Sequence, residues 1–499
     1  MSSSPLLAVL PGEGRVEPRS SAGPAVEEAF GPPSDSAATY RLARQVLSDV
    51  FSPATAFLPA GDMDYSLRRP RACSVGELLA EVRSKVVAHA VHPRHPMAIA
   101  HMVPPPCTVG VVADLVIGAL NQCAFCWEEA PAAAELETEV LRWMAARLGY
   151  VSAPGSLLTS GGTMGNYIAA LLALERAKRR EPGAAAFCIV ASDQAHLSIE
   201  KAAVMLGLGR DAVVRVATDA EGRVVPGSFA EAARACRDAD RTPFLLVCTA
   251  GTSTTGALEP AAEILRVARR CGAWCHVDAA HGGLVSLAHG HRATTAAWTT
   301  ADSVSWDAHK TLYAPYAVGA LFVRDPSELE VLDFRADYAL RPEDELDAGI
   351  RHLDGSRRLE ALKLWMCIRY FGLEGYRSLT ERTLETARRF ADAIRENDQL
   401  VLATEPDTNI VCFRFEDSTL SHRDNDRVNL RAQSRLFRTG GPLLSTARVG
   451  GCVNLRSVLL NPRFSAAHIP VVIDRVLREA EHHAGRLGRG WASRERAAR

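Results

Sequence analysis

Five short apolar runs recur through the middle of this chain, several of them separated by stretches that read as helix. No other feature constrains the fold as tightly. The runs are Phe187–Ala191, Val213–Val216, Phe244–Cys248, Trp274–Val277 and Ala320–Val323, with Pro260–Cys271 among the helical segments between them. Short runs that are apolar throughout are strands buried on both faces, and helical connections between them favour a mainly parallel sheet. The expected class is therefore α/β. After about Gly355 the pattern changes to helix, then strand (Ile410–Phe415), then further strand and helix, which predicts a smaller α+β C-terminal domain.

The rest of the chain divides around this core. Residues 1–36, rich in Ser, Pro, Gly and Ala without an apolar period, read as a mobile leader. Residues 37–106 read as an N-terminal helical segment. Leu78, Leu79, Val82, Val86 and Val87 predict an amphipathic helix there, and His92–Pro96 and Pro104–Pro106 an extended crossing. Residues 107–355 form the large domain, mostly helical to 180 with a break at 149–162. Residues 356–485 form the smaller domain, and 486–499 a basic tail expected to fray.

Composition excludes several function classes. A net charge of −1 and a pI near 6.9 supply no field for nucleic acid or an anionic membrane. No apolar run reaches the length of a membrane span, and Leu6–Leu10 is too short for a signal-peptide core, so a cytoplasmic location is expected. The 12 cysteines show no disulfide framework. Cys123 with Cys126, and Cys271 with Cys275, lack a second pair at ligand spacing. They read as buried free thiols, and no metal site is expected.

Three segments carry candidate chemistry. Ser160-Gly-Gly-Thr-Met-Gly-Asn166 precedes a helical run, and glycines ahead of a helix let amides approach an anion such as phosphate. Trp274-Cys-His-Val-Asp278-Ala-Ala280 ends a strand in a carboxylate followed by small residues, which suits a flat ring with a heteroaromatic N–H. Ser303-Val-Ser-Trp-Asp307-Ala-His309-Lys310 delivers a lysine from a buried strand. Desolvation there favours its neutral, nucleophilic form. Each segment alone also admits a structural reading, as a helix cap, a turn cap or a surface lysine. Together, in this order, they supply a phosphate cradle, a pyridinium partner and a Schiff-base lysine, the parts of a pyridoxal-5′-phosphate (PLP) site.

From about Leu78 to Pro462 the sequence resembles the group II PLP-dependent amino-acid decarboxylases, which act on aromatic amino acids, glutamate, cysteine sulfinate and diaminobutyrate. The resemblance is carried by His92-Pro-Arg, Asn121-Gln122, Trp127 to Glu137, Ser192-Asp-Gln-Ala-His196, Gly251-Thr-Ser-Thr254, His276-Val-Asp-Ala-Ala280, His309-Lys310, Arg357-Arg358, Leu362-Lys-Leu-Trp365 and Leu455-Arg456 to Asn461-Pro462. It implies a type I PLP fold and a homodimer with active sites at the interface. Lys310 then holds the cofactor, Asp278 meets the pyridine nitrogen, Ala280 packs under the ring and His196 stacks over it. Gly162, Thr163, Asp307 and His309 hold the phosphate, with Ser356 reaching in from the partner chain. Ser253 lies near the ring, Arg456 meets the substrate carboxylate, and Tyr338 lies on a loop over the neighbouring site.

That tyrosine implies plain α-decarboxylation of an L-amino acid, because it returns a proton to the α-carbon after CO2 departs. The alternatives are an aldehyde synthase, aminotransferase or lyase on the same fold, or a catalytically silent relative. This sequence departs from the family at Thr311, usually a large apolar residue, and at Met164, often a small hydroxyl residue. Asp307 stands where many relatives carry Asn and puts negative charge near a phosphate. His281 occupies a position that varies. Met97–Pro106 is similar to the diaminobutyrate branch, and Arg357–Trp365 to the aromatic and glutamate branches, so no substrate is named.

Overall fold

The computed structural model describes residues 75–290, 292–334 and 348–497. The leader, most of the N-terminal segment and Tyr338 lie outside them. Seven strands build the large sheet: β1 (Gly155–Thr159), β2 (Ala186–Ser192), β3 (Val213–Val216), β4 (Arg241–Thr249), β5 (Trp274–Asp278), β6 (Ser303–Trp306) and β7 (Gly319–Val323). Their order is β1-β7-β6-β5-β4-β2-β3, and only the pairs made by β7 are antiparallel.

All five expected apolar runs lie in these strands. Successive residues feed opposite cores, as the two-residue strand period requires. Val190, Leu246, Val277 and Phe322 enter one cluster; Ile189, Leu245, Trp274 and Leu321 enter the other. The sequence reading missed β1, which lies inside the break at 149–162. Its Gly-Ser-Leu-Leu-Thr is short, and its partner β7 is more than 150 residues away in sequence.

The smaller domain carries a second, antiparallel sheet, β10-β11-β9-β8, formed by β8 (Leu400–Leu402), β9 (Ile410–Phe415), β10 (Ser445–Val449) and β11 (Cys452–Val458). Helices Glu360–Arg395, His422–Arg438 and Ile469–Ala497 accompany it, and Phe390 meets Phe413 at 5.4 Å between ring centroids. The first of these helices is broken at Gly372, whose φ of 60° and ψ of −178° lie outside the helical region. The Pro-rich crossing is tied to this domain: Ile99 enters its core and Ala98 bridges Leu443.

Two local expectations change. The amphipathic helix over 78–87 is α-helical only over Val75–Glu81, then passes into a π turn (Val82–Val86) and a 3-10 turn (Val87–His89). The run Val86-Val87 disfavours regular helix, because branched side chains lose rotamer freedom against the preceding turn. The last helix continues through most of the basic segment expected to fray, because its Arg, Ala and Glu residues propagate helix well.

Gly283 shows how closely the core beneath the site is packed. A Cβ there would stand 2.2 Å from Cδ1 of the fully buried Trp306. We expect Gly283→Ala to destabilise the protein by about 1–3 kcal/mol through overpacking, read as a lower thermal midpoint beside wild type.

Candidate active site

The carboxyl ends of five strands converge on one cavity of about 340 Å3. Loops beyond these ends form the natural ligand crevice of an α/β sheet. β1 leads to Gly161-Gly162 and the helix Gly162–Arg180, β2 to His196, and β4 to Gly251 and Ser253. β5 ends on Asp278, and β6 leads to Asp307, His309 and Lys310. Gly162, Thr163, His196, Ser253, Asp278, Ala280, Asp307, His309 and Lys310 all line this cavity.

The remaining expected residues are elsewhere. Ser356 is exposed and is not part of the lining. Arg456 is buried outside the lining. Its Nε donates to Thr254 O (3.2 Å), and its Nη1 to Ala100 O and Ser445 Oγ (both 3.0 Å). A guanidinium on a strand can satisfy itself on nearby carbonyls, and sequence spacing does not reveal that.

Asp278 is 5% exposed and is held by hydrogen bonds. Its Oδ1 accepts from Ala280 N (3.1 Å) and its Oδ2 from Asn166 Nδ2 (2.7 Å). Asn166 Nδ2 also donates to Ser198 Oγ (2.8 Å), and that hydroxyl lies 2.8 Å from His196 Nδ1. Ser198 N–H donates to the same Nδ1 (3.3 Å), so His196 carries its proton on Nε2. Asn166 Oδ1 accepts from His276 Nε2 (2.9 Å) and Ser305 Oγ (3.2 Å). Burial pushes His276 down to about 4 and lowers His196 as well, so both rings are neutral at pH 7.

Sequence reasoning missed Asn166. It stands four residues after Gly162, on the same helix face as the glycine turn, and that spacing was the available signal. Thr249 and Tyr316 also line the cavity unannounced, and Met102 does so from the Met97–Pro106 segment. The Tyr316 ring lies 4.3 Å from that of His309. His281, given no role from sequence, is fully buried at the wall, with Nε2 2.8 Å from Asn409 Oδ1.

These residues fit PLP. A Cβ at Gly162 would stand 2.8 Å from Ala280 Cβ, so glycine keeps open the space between the helix start and the strand end. The amides of Gly162 and Thr163 open the 19-residue helix Gly162–Arg180 ahead of the first N–H bonded to Gly161 O, that of Met164, and suit a phosphate. A buried carboxylate suits a ring N–H, and Lys310 lines the same cavity as Asp278 and Gly162.

The profile of the pyridoxal-dependent decarboxylase conserved domain matches residues 68–416. The chain is 34% identical to L-2,4-diaminobutyrate decarboxylase of Rhizobium meliloti, over 82% of this chain and 84% of that protein. It is 30% identical to human cysteine sulfinic acid decarboxylase, over 73% of this chain and 78% of that one. Among solved structures, mouse CSAD superposes with a TM-score of 0.81 at 25% identity, covering 88% of this chain and 98% of that chain. The glutamate decarboxylase domain of a diaminobutyrate-pyruvate transaminase and L-2,4-diaminobutyrate decarboxylase from Vibrio parahaemolyticus gives a TM-score of 0.77 at 26% identity, covering 89% and 94%.

The chain belongs to the pyridoxal-dependent decarboxylase family. It is a PLP-dependent amino-acid decarboxylase with the family's large, mostly parallel sheet and smaller C-terminal domain. In this decarboxylase Asn166→Leu keeps the branching and heavy-atom count of the side chain but strips partners from Asp278, His276 and Ser198. Each unpaired buried group costs about 1–3 kcal/mol, so PLP affinity is expected to fall about 10–100-fold. Fluorescence titration of the cofactor-free protein, with circular dichroism as the folding check, measures it.

Proposed function

We propose that this cavity catalyses α-decarboxylation of an L-amino acid to CO2 and the corresponding amine, in a homodimer with its sites at the subunit interface. The observation that carries the reading is the meeting of Lys310, Asp278 and His196 in one cavity beside the Gly161-Gly162 turn. Bound there, PLP supplies an electron sink for the pair left on the α-carbon when the carboxylate departs as CO2.

Lys310 would hold the cofactor through Nζ, would give way to the substrate amine and would reclaim its place as product leaves. Asp278 keeps a proton on the ring nitrogen, its direction fixed by Asn166 and Ala280 N. His196 covers one ring face, Ala280 the other, and Ser253 stands beside the ring. Gly162 and Thr163 hold the phosphate through their amides, with His309 and Asp307 beside it and Ser356 contributed by the partner subunit. Tyr338, also from the partner, returns the proton to the α-carbon. Arg456, held through Nε by Thr254 O and through Nη1 by Ala100 O and Ser445 Oγ, meets the substrate carboxylate with Nη2.

Several observations support the assembly and setting. Leu115, Val116 and Leu120 expose an apolar face on the helix Thr108–Leu120, and Trp127 follows it, which suits burial against a second copy. The cysteines of the described residues are free thiols, which suits a reducing cytoplasm. No helix among the described residues is long and apolar enough to cross a membrane. The division at residues 106, 355 and 485 remains our reading of the domain boundaries.

An amino-acid panel with detection of CO2, amine, aldehyde and hydrogen peroxide tests the reaction. It begins with L-2,4-diaminobutyrate and includes aspartate, cysteine sulfinate and aromatic amino acids. Amine in step with CO2 is the expected result, and aldehyde with peroxide in place of amine overturns it. Tyr338→Phe is expected to lower amine formation at least about tenfold, the usual scale for loss of a positioned proton donor, and to raise the aldehyde share. Light scattering should give twice the 53.8 kDa chain mass.

A further inference from the structure

Asp307 is poorly suited to the anion-holding role that its position suggests. Its side chain is buried, with Oδ2 2.8 Å from Lys310 Nζ, and Oδ1 has no hydrogen-bond partner among the described residues. Glycines open the space around it: a Cβ at Gly319 would stand 2.5 Å from Oδ1, and one at Gly162 would stand 3.3 Å from Oδ2. The carboxylate thus borders the glycine turn at the start of the helix Gly162–Arg180. His309 lies alongside with Nε2 3.6 Å from Oδ2, but burial lowers its proton affinity, so it brings little positive charge.

We propose that Asp307 is a positioning residue that weakens cofactor retention: it pairs with Lys310 when PLP is absent and opposes the phosphate when PLP is bound. The proposal rests on the reading that the phosphate sits at Gly161-Gly162. Like charges sharing a buried site repel, and little solvent screens them there. In the cofactor-free protein the Lys310 ammonium offsets the carboxylate. Once Nζ is bonded to PLP it is no longer an ammonium free to pair with the carboxylate, while the phosphate adds charge of the same sign. An amide at this position would remove the opposition and offer an N–H to the phosphate.

The test compares wild type, Asp307→Asn and Asp307→Ser by equilibrium binding and release of PLP, inorganic phosphate and pyridoxal. Asp307→Ser is a second neutral residue that guards against an effect peculiar to asparagine, and no cap is lost, because the Asp307 side chain makes no cap bond to the turn at Ala308. Asp307→Asn is expected to bind PLP at least about tenfold more tightly, from removal of one buried like charge. Asp307→Ser should move the same way, inorganic phosphate should follow, and pyridoxal should not gain. Equal or weaker PLP binding by both folded variants, or an equal gain for pyridoxal, overturns the proposal. Gly162→Val separates the underlying reading. If it binds PLP normally, the phosphate does not sit at this turn and both ideas fall. If it loses PLP while Asp307→Asn gains nothing, the placement stands and the role of Asp307 does not.

Discussion

A carboxylate buried at the end of a central strand is the constraint on which the rest of this site depends. Among the described residues no arginine or lysine is hydrogen-bonded to Asp278, so its charge is supported by Ala280 N and Asn166 Nδ2, with Ser305 Oγ at 3.4 Å. The orientation of Asn166 is fixed in turn. Trp274 Nε1, which can only donate, lies 2.8 Å from Ser303 Oγ, leaving that hydroxyl to donate to His276 Nδ1 (2.8 Å). The His276 proton then sits on Nε2 and points at Asn166 Oδ1. Both amide protons are left for Asp278 and Ser198. One direction of donation therefore runs from Trp274 to His196 and orients both groups that would flank a bound ring.

The chemistry lies at one edge of the sheet for a geometric reason. Alternate residues of each strand must feed two apolar cores, so polar groups within the strands are few and are paired internally. Ser303 and His276 show this, since each is buried and each partners the other. Only beyond the carboxyl ends does the chain leave the cores and become able to present Gly162, His196, Asp278 and Lys310 to a ligand. β7, antiparallel to both neighbours, closes the layer beside Asp307, where Gly319 gives it room.

The same physics explains what the sequence reveals. Apolar runs such as Phe244–Cys248 are legible because burial on both faces leaves no polar alternation to obscure them. Asp278 is legible because charge directly follows such a run, and Lys310 because it closes the Asp307-Ala-His309-Lys310 segment just beyond a buried strand. β1 is not, because a five-residue strand with Ser and Thr depends on a distant partner to define it. For Asn166 the spacing from Gly162 shows only a shared helix face; its importance lies in contacts to residues 110 and 112 positions away. For Arg456 the residue type suggests carboxylate recognition, while the bonds that fix its Nε and Nη1, to Thr254 O, Ala100 O and Ser445 Oγ, could not be read from spacing. Which atoms satisfy a buried donor is a tertiary fact, not a local one.

Charge accounting then limits how the cavity can hold an anion. Burial lowers the proton affinity of His196, His281 and His309, and His281 falls to about 3, so these rings supply hydrogen bonds rather than positive charge. Among the described lining residues, Lys310 is the one lysine or arginine, facing the carboxylates Asp278 and Asp307. Asp278 is matched when the cofactor's ring nitrogen carries a proton. Nothing comparable matches a phosphate once Lys310 is engaged. The remaining attraction comes from the first turn of Gly162–Arg180, where aligned peptide dipoles act as roughly half a positive charge and the amides point outward. Backbone is therefore the principal anion-binding element here, and that is why glycine, which brings no side chain into that space, stands at positions 161 and 162.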